Sequence, residues 1–333
     1  TGDENYLWKM PEDEWQAISL SYTSGTTGNP KGVVYHHRGS YLMSTGSAAA
    51  WNMPNRLNFL TIVPMFHCNG WCYPWTLAML HARVICIRNI RAKEIFELIS
   101  EHKITHFGGA PIILNMLANA PKEEQIKLNH KVYVLTAAAP PPSIIFKKMN
   151  ELGFQVMHVY GLTETTPLIA ICEPLPSHSN LSVEELAKIK ARQGVELVSS
   201  GELRVVDDDG NEVPKDGKTL GEISVQGNVV MTGFYNDPEA TAAAIKDGWF
   251  YSGDAAVVHP DGYLEIRDRF KDVIISGGEN ISSVEVEGCL LRHTAVMEVA
   301  VVGMPHDKWG EAPHAFVVLQ DGGSATEDEL KLH

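Results

Sequence analysis

The sequence predicts an α/β fold: a large layered α/β sandwich portion with a mostly parallel sheet, a small β-rich subdomain, and a smaller mobile α+β domain at the C-terminal end. Two observations carry this. From Ala17 to Ile171, short β-branched runs alternate with stretches of helical periodicity, the pattern of strands joined by crossover helices. After about Arg192 the alternation gives way to short strands punctuated by Asp-Gly and Asp-Asp-Gly turns, a texture of hairpins. A chain of 333 residues also exceeds what one compact core holds, so more than one domain is expected.

Taken in order, the apolar run 17–20 reads as a strand that leads into a glycine-rich stretch, and a helix is expected after His36. Strands follow at 57–64, 83–87, 104–109, 132–137 and 155–160, with helices at 71–80, 92–100, 111–118 and 143–152. Ligands of parallel sheets gather at the carboxyl ends of the strands. The loops 23–32, 67–70, 108–110, 136–142 and 160–166 each follow an expected strand, so one site can collect them. Hairpin strands are expected at 201–214, 220–227, 249–258 and 261–269. Strand 273–275, helix 283–292 and strands 295–303 and 314–320 complete the pattern, with Thr326 as the cap of a last helix. The expected boundaries are 1–195, 196–268, a linking segment 269–272, and 273–333.

Composition narrows the function classes. With 44% hydrophobic and 20% charged residues the chain is globular rather than disordered. Its net charge of −14 argues against a nucleic-acid partner, so any phosphate-bearing ligand must be held by loops and a few local cations. Five cysteines without a CxxC pair point to a reduced, cytoplasmic setting. Cys68 and Cys72 beside His67 lack a second ligand pair at zinc spacing and read as buried packing residues. No apolar run is long enough to span a bilayer, and the acidic start is unlike a signal sequence, so a soluble protein is expected; a homodimer is left open.

Five stretches carry chemistry. In 22–32, Thr23, Ser24, Gly25, Thr26, Thr27 and Gly28 run up to Lys31, a density of hydroxyls, glycines and one cation suited to wrapping a phosphate chain. It is not the Walker pattern, because Asn29 and Pro30 separate Gly28 from Lys31. A plain turn would explain two glycines but not the whole run. In 160–166, Tyr160 offers a flat face, Thr163 a hydroxyl and Glu164 a carboxylate suited to Mg²⁺; on these residues alone an exposed turn with a surface glutamate serves equally well. Trp249 to Asp254 ends in a carboxylate that can accept from two ribose hydroxyls, although an Asp in such a turn is more often only a turn residue. Residues 267–281 place a charged pair before a Gly277-Gly278 turn, a suitable swivel or an ordinary hairpin. In 63–71, His67 and Trp71 sit among apolar residues, where a lone histidine is usually structural.

These five motifs, in this order and over nearly the whole chain, resemble the adenylate-forming superfamily, and within it the acyl-CoA synthetases. The resemblance implies ATP/AMP, Mg²⁺ and CoA as cofactors and a small carboxylic acid as substrate. It implies that Tyr160 faces adenine beside Gly161, Ala138 and Pro140, that Thr163 contacts the α-phosphate, and that Glu164 holds magnesium. Asp254 and Arg269 then take the ribose, and Lys271 is the hinge about which the last domain turns. Gly277 and Gly278 line the pantetheine path, and His67, Trp71 and Gly161 shape the acyl pocket. The look of residues 66–71 is closest to ligases for short or medium acids, including methylthiopropionate-CoA ligases. A luciferase-like or peptide-synthetase-type adenylating enzyme, or a non-catalytic nucleotide-binding module, is the alternative. Relatives carry a subdomain upstream of the phosphate loop and a late lysine segment, and both are expected to be missing from these residues.

Overall fold

Five parallel strands form the spine of the computed structural model, which describes residues 3, 5–23, 29–137, 143–320 and 322–333. They lie in the order Arg83–Cys86, Asn58–Thr61, His106–Gly109, Val132–Thr136 and Phe154–Tyr160. Ala170–Ile171 and Val195–Glu196 extend the sheet antiparallel. Neighbouring residues on a strand face opposite sides. Thus Leu60 and Val134 join one core, with Ile95, Phe96 and Ile99 of the helix Ala92–His102, while Phe59 and Leu135 join the other, with Met43 and Leu77. A sheet buried on both faces has to read as near-continuous apolar runs, and this is why its strands were legible.

The strand Ala17–Tyr22 does not enter this sheet. It pairs antiparallel with Gly32–His36, whose other edge pairs with Gly233–Phe234. The Thr23 N–H donates to the Lys31 carbonyl at 2.9 Å, continuing this antiparallel pairing on the near side of the glycine-rich stretch. The β-branched pair Val33-Val34 sustains the second strand before the helix His37–Ala50 begins. His36 caps that helix: its Nδ1 accepts from the Gly39 N–H at 3.1 Å, so its Nε2 carries the proton and donates to the Val230 carbonyl at 3.0 Å. The helix expected over 71–80 is Tyr73–Met79; it starts late because residues 68–72 take a left-handed path.

Beyond residue 200, Glu202–Val206, Gly221–Gln226, Trp249–Val258 and Leu264–Arg269 build an antiparallel sheet. A separate sheet of Ile274–Ser276, Glu279–Ile281, Val296–His306 and Gly310–Leu319 packs on the helix Ser283–Leu290. Between the two sheets the chain turns, with the Asp272 and Val273 N–H groups both donating to the Arg269 carbonyl. The two sides are also tied directly. The buried Asp268 carboxylate accepts from the Ser283 N–H at 2.7 Å and the Ser283 hydroxyl at 2.8 Å, and the Ser282 hydroxyl donates to the Arg267 carbonyl. The last helix, Glu327–Leu332, is capped by Thr326, with Glu329 reciprocating. Among the described residues, no helix is long and apolar enough to cross a membrane.

The buried histidines give this fold a pH signature. His106 lies on a central strand, stacked on Tyr133 and edge-on to Trp51, and burial pushes its pKa from 6.5 down to about 4. A folded state that prefers the neutral ring is fully stabilised above the unfolded value and loses that preference as pH falls from 6.5 toward 4. Urea midpoints measured at pH 7 and pH 4.5 should therefore drop more for the unsubstituted protein than for His106→Phe, which keeps the ring stack and cannot titrate. An equal drop would show that this histidine does not contribute.

Candidate functional site

Two cavities share a wall above the carboxyl end of the strand Phe154–Tyr160. One, of about 500 Å³, is lined by apolar side chains that include Ile62, Val63, Trp71, Ile90 and Ile113. The other, of about 990 Å³, is bordered by Thr23, Lys31, Thr163, Glu164 and Ser252. His67, Cys68, Gly161, Leu162 and Arg269 belong to both. Glycine is required at 161 in this shared wall, because a Cβ there would lie 1.6 Å from the Pro167 carbonyl oxygen. Only a residue without a side chain lets the loop fold back this closely.

Two residues from two elements converge on the carboxylate of a third. The Tyr160 hydroxyl, at the end of a central strand, donates to Asp254 Oδ2 at 2.6 Å, and Arg269 Nε lies 3.2 Å from Asp254 Oδ1. Asp254 sits on the long strand Trp249–Val258 and is 4% exposed. Burial raises its pKa, while the Tyr160 hydrogen bond and the Arg269 guanidinium pull it back. Burial with an adjacent anion also holds the Tyr160 phenol protonated. Arg269 remains half-exposed, so it can meet a ligand from the solvent side.

Thr163, Glu164 and Thr165 form one 3₁₀ turn. The turn is fixed on both flanks: the Leu162 N–H donates to Thr165 Oγ1 at 3.0 Å, the Thr166 hydroxyl to the Val229 carbonyl at 2.6 Å, and the Met231 N–H to the Glu164 carbonyl at 2.8 Å. Burial raises the Glu164 pKa, partly offset by Arg269 and Lys31. Lys31 spans the same cavity, its Nζ 4.9 Å from the centroid of the Phe234 ring. Among the described residues, no group of three His, Cys, Asp or Glu could hold a metal by itself. A single partly buried carboxylate bordering this cavity suits Mg²⁺, which keeps several waters and takes its remaining ligands from phosphates.

The apolar cavity is shaped by a left-handed turn. Cys68, Asn69, Gly70, Trp71 and Cys72 have φ of +46°, +44°, +60°, +57° and +59° in succession. The path drives the Trp71 indole against Gly108, where a Cβ would come within 3.0 Å of the ring, so the indole walls the apolar cavity from one side. His67 opens the turn and lines both cavities.

The structure thus brings together Thr23, Lys31, His67, Trp71, Tyr160, Gly161, Thr163, Glu164, Asp254 and Arg269. It does not bring in Lys271, which is exposed beside Asp272, or Gly277 and Gly278, which line neither cavity. Both glycines have positive φ in the hairpin turn, and the Trp309 ring occupies the side of Gly277 where a Cβ would project. Ser24, Gly25, Thr26, Thr27, Gly28, Ala138 and Pro140 lie outside the described residues. Sequence reasoning missed Gln193 and Asp268, which line the apolar cavity, and treated Cys68 only as packing. Gln193 has no motif around it; its buried amide oxygen accepts from the Ile266 N–H at 2.6 Å, a partnership visible only in three dimensions.

A profile of the AMP-binding enzyme family matches residues 3–235, and one of the AMP-binding enzyme C-terminal domain matches residues 285–333. The chain belongs to the AMP-binding enzyme family. It is 53% identical over 96% of its length to a peroxisomal acetate/butyrate–CoA ligase from Arabidopsis thaliana, of which it covers 57%. It is 49% identical over 99% of its length to a 2-methylpropanoate–CoA ligase from Humulus lupulus, of which it covers 60%. Among solved structures, o-succinylbenzoate CoA synthetase from Bacillus subtilis, in complex with its acyl-adenylate intermediate, superposes with a TM-score of 0.83 at 31% identity. That match covers 96% of this chain and 62% of the other. The same synthetase with ATP and magnesium ion gives a TM-score of 0.83 at 29% identity, covering 96% and 63%. The chain therefore spans about three fifths of the relatives it matches.

For an AMP-binding enzyme the raised Glu164 pKa has a measurable consequence. A carboxyl binds a cation only when ionised, so any magnesium–ATP affinity that Glu164 supplies should begin to fall above pH 4.5, the ordinary value. Calorimetric titrations across pH 4.5–7.5 should show this acid limb, and Glu164→Gln should bind weakly with the limb gone. An unchanged limb in that variant would assign it to another group.

Proposed function

We propose that the protein is an AMP-forming acid:CoA ligase acting on short carboxylic acids. The observation that carries this reading is the apolar cavity of about 500 Å³ sharing the Gly161 wall with the cavity bordered by Lys31, Thr163 and Glu164. An acid lying in the first presents its carboxylate to an α-phosphate lying in the second. Arg269 and Asp254 would orient the ribose, with Tyr160 holding Asp254 in place as the adenine packs beside it. Lys31 and the Thr163 hydroxyl stabilise the charge that gathers on the phosphate oxygens as a carboxylate oxygen attacks phosphorus and pyrophosphate leaves. Mg²⁺ held by Glu164 would neutralise part of the same charge. No protein nucleophile is required, because positioning and charge stabilisation do the work.

In the second step the CoA thiol attacks the carbonyl carbon of the acyl-adenylate and AMP leaves. The residues after 272 would swing about Lys271 to bring Gly277 and Gly278 toward the carbonyl, the domains being those expected at 1–195, 196–268 and 273–333. The relatives named for acetate, butyrate and 2-methylpropanoate support a short acid. The FHCNGW stretch keeps 3-methylthiopropionate among the candidates. The cytoplasm is the compartment suggested by the unpaired cysteines, and the peroxisome is the one carried by a relative's name.

Acid-dependent exchange of pyrophosphate into ATP, measured over a series of straight-chain acids, tests the reading. The unsubstituted protein should favour short acids. Trp71→Ala should move the optimum to longer ones, gaining about fourfold per added methylene, the equivalent of about 0.8 kcal/mol of burial. Exchange that needs no acid would contradict the ligase, and an unchanged length profile would remove Trp71 from the pocket.

A further inference from the structure

We infer that Cys68 is a positioning residue for Thr163, through which the turn lining the acyl cavity sets the hydroxyl on the phosphate side; the inference rests on the ligase reading above. Cys68 Sγ lies 3.3 Å from Thr163 Oγ1, and Cys72 Sγ donates to the Thr166 carbonyl at 3.4 Å. The two sulfurs therefore bracket the 3₁₀ turn that carries Glu164, one at each end. Both thiols are buried, and Cys68 alone among the cysteines lines both cavities.

The turn that presents these sulfurs is strained. Four residues other than glycine, Cys68, Asn69, Trp71 and Cys72, sit in the left-handed region, which disfavours side chains bearing a Cβ. Such a path persists only where its surroundings hold it. The Ser19 hydroxyl, on the strand that leads into the glycine-rich stretch, donates to the Asn69 side chain, and the Gly70 N–H donates to the His67 carbonyl at 2.8 Å. The sulfur contacts complete the grip, linking the acyl side to both phosphate-side segments.

An independent observation marks the same spot. Tyr35 is fully buried there, and burial, with Cys68, Cys72 and Glu164 nearby, holds its phenol protonated. A thiol is a weak donor that stays protonated here, since burial raises the Cys68 pKa. A thiol that donates to Thr163 Oγ1 leaves the threonine proton free to face a phosphate oxygen.

A double-mutant cycle on the full protein tests this. Cys68→Ala should lower kcat for acid-dependent pyrophosphate exchange about tenfold while leaving KM for ATP within about twofold, the pattern of an interaction realised in the transition state. Cys68→Ser, which keeps a donor, should recover most of the rate. In a Thr163→Val background, Cys68→Ala should cost nothing more, because the group it positions is gone. Additive losses, a full-rate Cys68→Ala, or an unaffected Thr163→Val each overturn the inference. If the unsubstituted protein shows no acid-dependent exchange, the ligase reading fails separately. The same cycle is then read on thermal stability, where coupled losses from Cys68→Ala and Thr163→Val support the contact and additive losses overturn it.

Discussion

The carboxylate of Asp254 is the point on which the site depends. It lies on the β-rich sheet, yet its two oxygens are taken by Tyr160 from the end of the parallel sheet and by Arg269 from the threshold of the last unit. Burial makes an unpaired carboxylate costly, so each partner helps keep the other two in place. Two sheets that share no strand are thereby held in register around one pair of cavities. The antiparallel pairing adds a second clasp, since Gly233–Phe234 from the β-rich region pairs with Gly32–His36 and fixes where the glycine-rich stretch ends.

This arrangement sets apolar recognition beside polar chemistry across a wall that includes Gly161. Gly161 and Leu162 line both sides, and the residues just after them form the turn that bears Thr163 and Glu164. The apolar and polar cavities therefore adjoin while sharing only the side chains of His67, Cys68, Leu162 and Arg269. The last unit reaches the same region through Asp268 and Ser283 rather than through Gly277 or Lys271. Any swing of that unit must first break those buried hydrogen bonds, which gives the observed arrangement its own stability.

Much of the fold was legible because a sheet buried on both faces leaves unbroken apolar strands, and the helices between them carry clear periodicity. The helix Pro111–Ala118 fell where its Pro start and apolar spacing put it, and Thr326 capped the last helix through its reciprocal pair with Glu329. The pairing of Ala17–Tyr22 with Gly32–His36 escaped notice because a run of hydroxyls and glycines signals a phosphate turn equally well before a strand or a helix. The left-handed turn was hidden too, since Cys68, Asn69, Trp71 and Cys72 give no sign of positive φ. In the site, Tyr160, Thr163, Glu164 and Asp254 stood out only through the family resemblance, since on their own they read as turn residues. Gln193, Asp268 and Tyr35 did not, because each matters only through a partner far away in sequence.

The central claim is that the acid's own oxygen attacks the α-phosphorus within this site. It is tested by supplying the acid with both carboxylate oxygens labelled with oxygen-18, together with ATP and CoA, and reading the products by mass spectrometry. The account predicts one labelled oxygen in the phosphate of AMP and none in pyrophosphate. Label in pyrophosphate or inorganic phosphate, or thioester formed with unlabelled AMP, would contradict it.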